Sequence, residues 1–236
     1  MNVRHALLGT LKGTGIVIGG LVLALIVGSV ILPPLLRGWY NRLGATDAEI
    51  EAVLPGDDLI AEATSSSTRA ITIEAPYDLV HKLIVQMGYQ RAGWYGWDWF
   101  YKATGSAEFV DGSYSSRVVP ELQDLAVGDT VYINKAVGYE VVRIEPGVLV
   151  LFAAMAADGR KLEPNDPSAQ SAMSWAWVAE PVDDDTTRLV LRIRNGGSGF
   201  GGFVGWLFDN PLDMGGSAFA YKTLAGLKRT AEDLAD

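Results

Sequence analysis

The feature that most constrains this chain is an uncharged, apolar run near its N-terminus. Between Gly13 and Leu36 there is no Asp, Glu, Lys or Arg. As a helix that rises about 1.5 Å per residue, the part from Gly13 to Leu32 is about 30 Å long, which matches the hydrocarbon thickness of a bilayer. The run therefore predicts a transmembrane helix at 13–36, preceded by an N-terminal tail at 1–12.

Two alternatives to a membrane span stay open. The small residues at 27–29 resemble a signal-peptide cleavage site, although the apolar run is longer than an ordinary signal sequence and continues past that point. A buried core helix fits less well, because the run has no polar face. Trp39 and Tyr40 follow the run at the depth where aromatic rings favour the headgroup region.

The charges that flank the run predict its orientation. Arg4 and Lys12 precede it, and Arg37 and Arg42 follow it. With the terminal amine added, the count favours a cytoplasmic N-terminus by a slim margin. The expected location is the cell membrane, as a single-pass protein with its C-terminal domain outside the cytoplasm.

Composition excludes several classes of function. The chain of 236 residues carries a formal net charge of -9 and has no cluster of basic residues, which excludes nucleic-acid binding. It has no cysteine, so disulfides, thiol catalysis and cysteine-based metal sites are excluded as well. The two histidines are His5, in the tail, and His81, which is expected at the surface. No metal site and no cofactor are predicted.

Beyond the run, helical and strand patterns follow one another in an order typical of an α+β fold. Residues 37–67 are predicted to form a connector with one short helix at 47–54, which begins at a capping box of Thr46 and Glu49. A domain at 68–236 follows, with a strand, a helix, several antiparallel strands and a long C-terminal helix that begins at Asn210. This order predicts a curved antiparallel sheet around the C-terminal helix, with a cavity between them.

The last predicted strand and the glycine-rich run after it each have a distinct pattern. In residues 187–195, apolar side chains alternate with Arg188, Arg192 and Arg194, which predicts a sheet with one face in water. The run at 197–202 fits the pattern G-x-G-x-x-G. No second strand follows it, so we reject a dinucleotide site and expect a loop that bends easily.

Aromatic residues are densest in RAGWYGWDWFY, residues 91–101. Interleaved glycines and the lack of strand alternation predict a loop and a short helix, outside the core. Trp175 and Trp177 lie two residues apart on one strand, so their rings point to the same face, where they either line the cavity or fill the core. The candidate ligand-binding residues are Trp94, Tyr95, Trp97, Trp99, Trp175 and Trp177.

Asp98 is the one candidate catalytic residue. If the rings of Trp97 and Trp99 exclude water from it, its pKa would rise and it could transfer a proton. The structural alternative is an N-cap for the short helix, with or without an ion pair to Arg91 or Arg117.

Seven segments carry a resemblance to a known family. They are LIVQMG (83–88), RAGWYGWDWFY (91–101) and residues 42–60, 117–131, 174–181, 187–194 and 225–234. Together they resemble the bacterial SRPBCC family, the START-like or helix-grip superfamily, and especially its membrane-tethered members. The resemblance implies a curved antiparallel sheet that grips the C-terminal helix around a hydrophobic cavity, with residues 91–101 near its lid. Relatives bind lipids, sterols or polyketides, and some are cyclases or hydratases.

Three functional hypotheses follow. The leading one is membrane-anchored binding of a hydrophobic small molecule, a lipid or isoprenoid, with that molecule and the lipid bilayer as partners. The second is an accessory or structural subunit of a larger membrane protein complex. The third, a cyclase or hydratase that uses Asp98 or Tyr95, ranks last because few ionisable groups lie among apolar residues.

Overall fold

A computed structural model describes residues 20, 28 and 31–236. The predicted transmembrane helix at 13–36 lies mostly outside the described residues and stays a prediction. Among the helices that the described residues form, none has both the length and the apolar character that a membrane crossing requires.

The order of the elements in the domain is the predicted one, with a strand, helices, several strands and C-terminal helices. The helices are α1 (residues 31–40), α2 (Asp47–Glu51), α3 (Tyr77–Val85), α4 (Asp98–Ala103), α5 (Gly202–Leu207) and α6 (Asp213–Ala235). The strands are β1 (Ser65–Ile73), β2 (Thr130–Tyr132), β3 (Gly138–Glu145), β4 (Val148–Met155), β5 (Ser171–Pro181) and β6 (Thr187–Gly196). A π-helical turn at Phe208–Leu212 joins α5 to α6.

All six strands form one antiparallel sheet in the order β1-β6-β5-β4-β3-β2. Pro181 at the end of β5 lies opposite Thr187 at the start of β6, so the β5–β6 turn is at one end of the sheet. The glycine-rich run that follows Gly196 is at the other end. The pairing of β3 with β4 shifts by one residue between Val141 and Arg143, which is the register change that a β-bulge produces. The sheet and the long α6 fit the predicted α+β, helix-grip architecture.

The core lies between the inner face of the sheet and helices α3 and α6. Lys228 of α6 donates to the carbonyl oxygen of Thr72 at 2.9 Å, and Glu232 accepts from the backbone N–H of Glu74 at 2.9 Å. These bonds hold the C-terminal half of α6 along β1. The apolar side chains packed between these elements include Leu83, Ile84, Leu189, Leu191, Leu224 and Leu227.

The outer face of the sheet is covered by the connector. Arg192 points away from the core, as predicted, yet it is 3% exposed. Its guanidinium donates to the carbonyl oxygens of Glu49, Ile50 and Ala52 at 2.7, 2.9 and 2.7 Å. It also pairs with Asp57 at 2.7 Å. The prediction of a face in water is therefore wrong at this position, because alternation separates the two faces of a strand without showing what covers them.

Helix α2 begins at the predicted capping box of Thr46 and Glu49, which is confirmed. The helix ends at Glu51 rather than at Leu54. Carbonyl oxygens at its C-terminal end accept from Arg192, so their hydrogen-bonding capacity is met without a further helical turn.

Glu49 also joins α2 to β6 through an ion pair that predicts acid sensitivity. Arg188 lies 2.7 and 2.9 Å from its carboxylate oxygens, and these hydrogen bonds lower the pKa of Glu49 from 4.5 to about 2. The stabilisation is therefore complete above about pH 4.5 and is lost as the pH falls through about 2. We expect Glu49→Gln to melt several degrees below the wild type at neutral pH, with a difference that shrinks as the solution is acidified.

Thermal melts of the full chain in detergent at a series of pH values measure this difference. Glu51→Gln is the matched control, since Glu51 is exposed on the same helix. The prediction would be contradicted if the difference in melting temperature between Glu49→Gln and the wild type were constant with pH, or equal to that of the control.

Candidate ligand site

The inner face of the sheet changes along its length. Near the β5–β6 turn it is closed, with Ala179 and Leu189 at 4% and 0% exposure. Toward the glycine-rich run, Met173, Trp175 and Ile193 on the same face are only partly buried. The apolar face is thus accessible at one end, and this end is the candidate ligand site.

Trp175 is at the centre of an aromatic cluster there. Its ring centroid is 5.7 Å from that of Trp94, edge to face, and 5.4 Å from that of Tyr139. The Sδ atom of Met173 accepts from Trp175 Nε1 at 2.9 Å and from the Tyr139 hydroxyl at 3.1 Å. Rings held on several sides present a rigid apolar surface, which suits a hydrophobic ligand.

Two indole nitrogens in this interior lack a hydrogen-bond acceptor. Trp94 and Trp177 are 2% and 1% exposed, and no acceptor among the described residues reaches either Nε1 atom. Buried indole N–H groups usually find a partner, and leaving such a donor unpaired costs about 1–3 kcal/mol. An oxygen atom of a bound molecule would satisfy such a donor.

The aromatic stretch at 91–101 is divided between core and surface. Trp94, Tyr95 and Tyr101 belong to the main core. The expectation that the stretch lies outside the core is therefore wrong for these three residues. Their backbone does lie partly in a loop, as predicted, because α4 begins only at Asp98.

The other rings of the stretch lie against or near α6. The ring centroids of Trp97 and Phe100 are 4.8 and 4.5 Å from that of Phe219 on α6. Trp99 is 66% exposed and contacts Phe100 edge to face at 5.9 Å. Neither Trp97 nor Trp99 is in the aromatic cluster around Trp175.

Tyr95 is a core residue with an uncommon backbone. Its φ of 53° lies in the left-handed region, which bulky residues rarely adopt. Its hydroxyl accepts from Nε2 of the buried Gln86 at 2.7 Å, and the same amide group also bonds the backbone of Arg117 and Val119. Burial raises the pKa of Tyr95. The phenol therefore stays protonated at neutral pH, which makes it unsuited to act as a base.

Asp98 is the first residue of α4 rather than its N-cap, which is Trp97. Its Oδ2 accepts from the backbone N–H of Tyr114 at 3.2 Å, while Oδ1 is buried with no hydrogen-bond partner among the described residues. Arg91 donates to backbone carbonyls and Arg117 pairs with Asp111, so Asp98 forms an ion pair with neither arginine. The carboxylate of Asp98 thus connects α4 to the segment around Tyr114.

His81 is half-buried rather than at the surface. Its Nδ1 accepts from the backbone N–H of Gly147 at 3.3 Å, and burial lowers its pKa, so the neutral form is favoured. His81 therefore supports the turn between β3 and β4, where Gly147 has a φ of 77°. Over the described part of the chain, no three His, Asp or Glu side chains cluster in a way that could hold a metal ion.

A separate surface cleft of about 380 Å³ lies beside α4. Its lining consists of Phe100, Tyr101, Thr104, Gly105, Ser106 and the loop residues 133–136. None of the six predicted ligand residues is among them. The cleft shares Phe100 with the contact between α4 and α6.

The structure therefore brings together only part of the predicted set. Trp94 touches Trp175, and Trp177 lies next along the same face of β5. Tyr139 and Met173 were missed, although period-two spacing on β5 places Met173 on the face of Trp175. Nothing local in the sequence signals that Tyr139 on β3 meets them.

Comparison with known proteins finds distant structural likenesses. No protein-family model matches the chain, and no curated protein matches it. Protein MLL2253 from Mesorhizobium loti is 14% identical over 73% of this chain and 99% of its own, with a TM-score of 0.40. Protein jhp0584 from Helicobacter pylori is 11% identical over 76% and 95%, with a TM-score of 0.42. The Zhui aromatase/cyclase from Streptomyces sp. R1128 is 16% identical over 72% and 93%, with a TM-score of 0.30.

These likenesses are compatible with the resemblance to the SRPBCC family.

Proposed function

We propose that this chain is a membrane-anchored protein whose helix-grip domain binds a hydrophobic small molecule that carries a neutral hydrogen-bond acceptor. A lipid or isoprenoid with a carbonyl or hydroxyl oxygen has this chemistry. The observation that supports the proposal most directly is the pair of buried, unpaired indole N–H groups of Trp94 and Trp177. They lie in the same core as the partly exposed ring of Trp175.

The surroundings of these donors favour a neutral ligand over a charged one. Arg69 is the charged side chain on the inner face of β1, and it already donates to Tyr40, Ser67 and Asn41. Because most N–H groups of Arg69 are already bonded within the chain, a charged ligand group would lose its hydration there and gain few new hydrogen bonds. A neutral oxygen on an apolar body would instead pair with an indole N–H while the body packs on the rings.

The anchor in this proposal is the uncharged run at 13–36, whose length suits a bilayer. The charges around it favour, by a slim margin, a domain outside the cytoplasm. An anchored domain keeps its ligand site within reach of molecules dissolved in the bilayer.

Removal of each indole donor, with its ring replaced by another aromatic, tests the proposal. The probes are a long-chain methyl ketone and the alkane of equal length, and native mass spectrometry of the full chain in detergent measures their binding. We expect Trp94→Phe or Trp177→Phe to weaken ketone binding about fivefold, as expected for one lost hydrogen bond of about 1 kcal/mol. Binding of the alkane should be nearly unchanged.

Trp99→Phe is the matched control, because Trp99 is exposed on α4 and outside the cluster. It should leave the binding of both probes unchanged. If the delipidated wild type binds neither probe, the proposed function is wrong. If the ketone and the alkane weaken equally in both variants, the indole donors do not recognise an oxygen.

A further inference from the structure

The chain passes from α1 into the domain through a bonded junction. Tyr40 at the end of α1 is 3% exposed, and its hydroxyl donates to Oδ2 of Asp213, the first residue of α6, at 2.9 Å. Arg37 lies 3.4 Å from the same carboxylate. The carbonyl oxygens of Asn41 and Leu43 then accept from backbone N–H groups of β1 at 2.9 and 3.1 Å. The segment after α1 thus pairs with the edge of the sheet.

A buried arginine strengthens this junction. Arg69 is 2% exposed and donates to the carbonyl oxygen of Tyr40 at 3.2 Å, to Asn41 Oδ1 at 2.9 Å and to Ser217 of α6. Burial lowers the pKa of Arg69 to about 10, which still leaves it charged at neutral pH. Rotation of the domain about α1 would break these bonds, so the junction determines which side of the domain lies next to α1.

Helix α5 lies on that side. The π-helical turn leads from α5 directly to Asp213, the residue that α1 contacts. Four exposed apolar side chains lie on the elements that meet at Asp213, and we call them the α5 face. They are Trp39, Phe203, Val204 and Leu212, at 63%, 71%, 48% and 53% exposure.

The α5 face is almost free of charge. Residues 195–208 contain no ionisable side chain. The carboxylate of Asp213 is paired with Arg37 and Tyr40, and Asp209 is the remaining acidic group of the turn. A surface with so few charged groups can enter the headgroup region with little ion desolvation, and burial of its apolar side chains there is favourable.

We infer that the α5 face docks on the lipid bilayer beside the predicted span and holds the domain in one orientation. The inference rests on the proposed membrane anchoring and adds a second contact with the bilayer, made by the α5 face. The occupant is lipid because the apolar run at 13–36 overlaps α1, and Tyr40 at the end of α1 bonds Asp213, the first residue of α6. The glycine-rich run before α5 is at the accessible end of the inner face, so docking also brings the ligand site toward the bilayer.

Single-cysteine labelling tests this directly, since the chain has no cysteine of its own. The full chain with Val204→Cys carries a nitroxide spin label and is reconstituted into phosphatidylcholine vesicles. Power saturation with oxygen and with a water-soluble nickel complex reports the depth of the label. We expect a depth of about 5–10 Å within the boundary between headgroups and acyl chains, unchanged by added salt.

Val182→Cys is the matched control, because Val182 is 61% exposed at the β5–β6 turn, at the opposite end of the sheet. Its label should be open to the nickel complex. A second experiment compares a spin label at Leu212→Cys with and without the Val204→Asp change. The added charge should move the Leu212 label toward water, while the protein still floats with the vesicles.

Vesicle flotation separates the two ways in which the inference can fail. If the protein floats and the Val204 label is as open to nickel as the Val182 label, docking on lipid is wrong, and a partner protein becomes the alternative occupant of the α5 face. If the protein does not float, the proposed anchoring fails together with the docking. An unshifted Leu212 label in the Val204→Asp variant would also overturn insertion of the face.

Discussion

Replacing Arg192 with leucine is expected to lower the free energy of unfolding by about 3–5 kcal/mol, because it breaks a buried ion pair from one side. The Arg192 side chain is 4% exposed and pairs with Asp57, which is 15% exposed. Leucine would leave the connector carbonyls without their donor. The carboxylate of Asp57 would keep only the backbone N–H of Leu54, at 2.9 Å, and Arg194, at 3.8 Å. Urea unfolding of the full chain in detergent, followed by circular dichroism, measures the loss.

Arg160→Leu provides the control. Arg160 pairs with Asp158 at 2.8 Å, but the two side chains are 68% and 59% exposed, so its loss should change stability by no more than about 0.5 kcal/mol. The Arg192 variant should also become sensitive to protease within residues 42–60 before the rest of the domain. Equal stability of the two variants would show that the connector contributes little to the fold.

The same arginine shows how far the sequence predicts this fold. Alternation in β6 predicts the strand and its two faces, and both are confirmed. The partner of Arg192 on the outer face, Asp57, is 135 positions away in sequence, and no local pattern links them. The capping box at Thr46 was predictable because both of its members lie within one turn of helix.

The candidate site was predictable to a smaller extent. Trp175 and Trp177 were placed on one face because strand periodicity is a local property. Trp94 and Tyr95 were expected outside the core because loops usually carry backbone groups that need water. Here the Gln86 side chain bonds the Tyr95 hydroxyl and the backbone of Arg117 and Val119. The loop can therefore be buried while few of its polar groups stay without a hydrogen-bond partner.

The start of the C-terminal helical region was also predicted too late. Glycine is costly in a helix, and Pro211 lacks an N–H group, so the sequence favours a loop up to Asn210. The structure has α5 from Gly202 and a π-helical turn that contains Pro211. The wider turn accommodates the proline and connects the α5 face to α6, and propensity scales do not describe such an element.

The second large effect is expected at Gly226, where α6 crosses the loop that carries Trp94 and Tyr95. A Cβ atom at this position would lie 1.8 Å from the carbonyl oxygen of Tyr95 and 2.8 Å from its carbonyl carbon. Backbone atoms cannot rotate away as a side chain can, so either α6 or the loop must move. We expect Gly226→Ala to lower the free energy of unfolding by about 3 kcal/mol. It should also weaken binding of the ketone probe, because Trp94 is displaced with the loop.

Gly216→Ala separates this effect from the general influence of alanine on a helix. Gly216 is exposed on α6, and a Cβ atom there would meet nothing within 4 Å. Alanine should therefore raise stability by about 0.5–1 kcal/mol, since it is the better helix former. If urea unfolding gives changes of opposite sign in the free energy of unfolding for the two variants, this would demonstrate the close approach of α6 to Tyr95. A stabilised Gly226→Ala variant would instead mean that α6 lies farther from the loop, and that the aromatic interior is wider than these contacts allow.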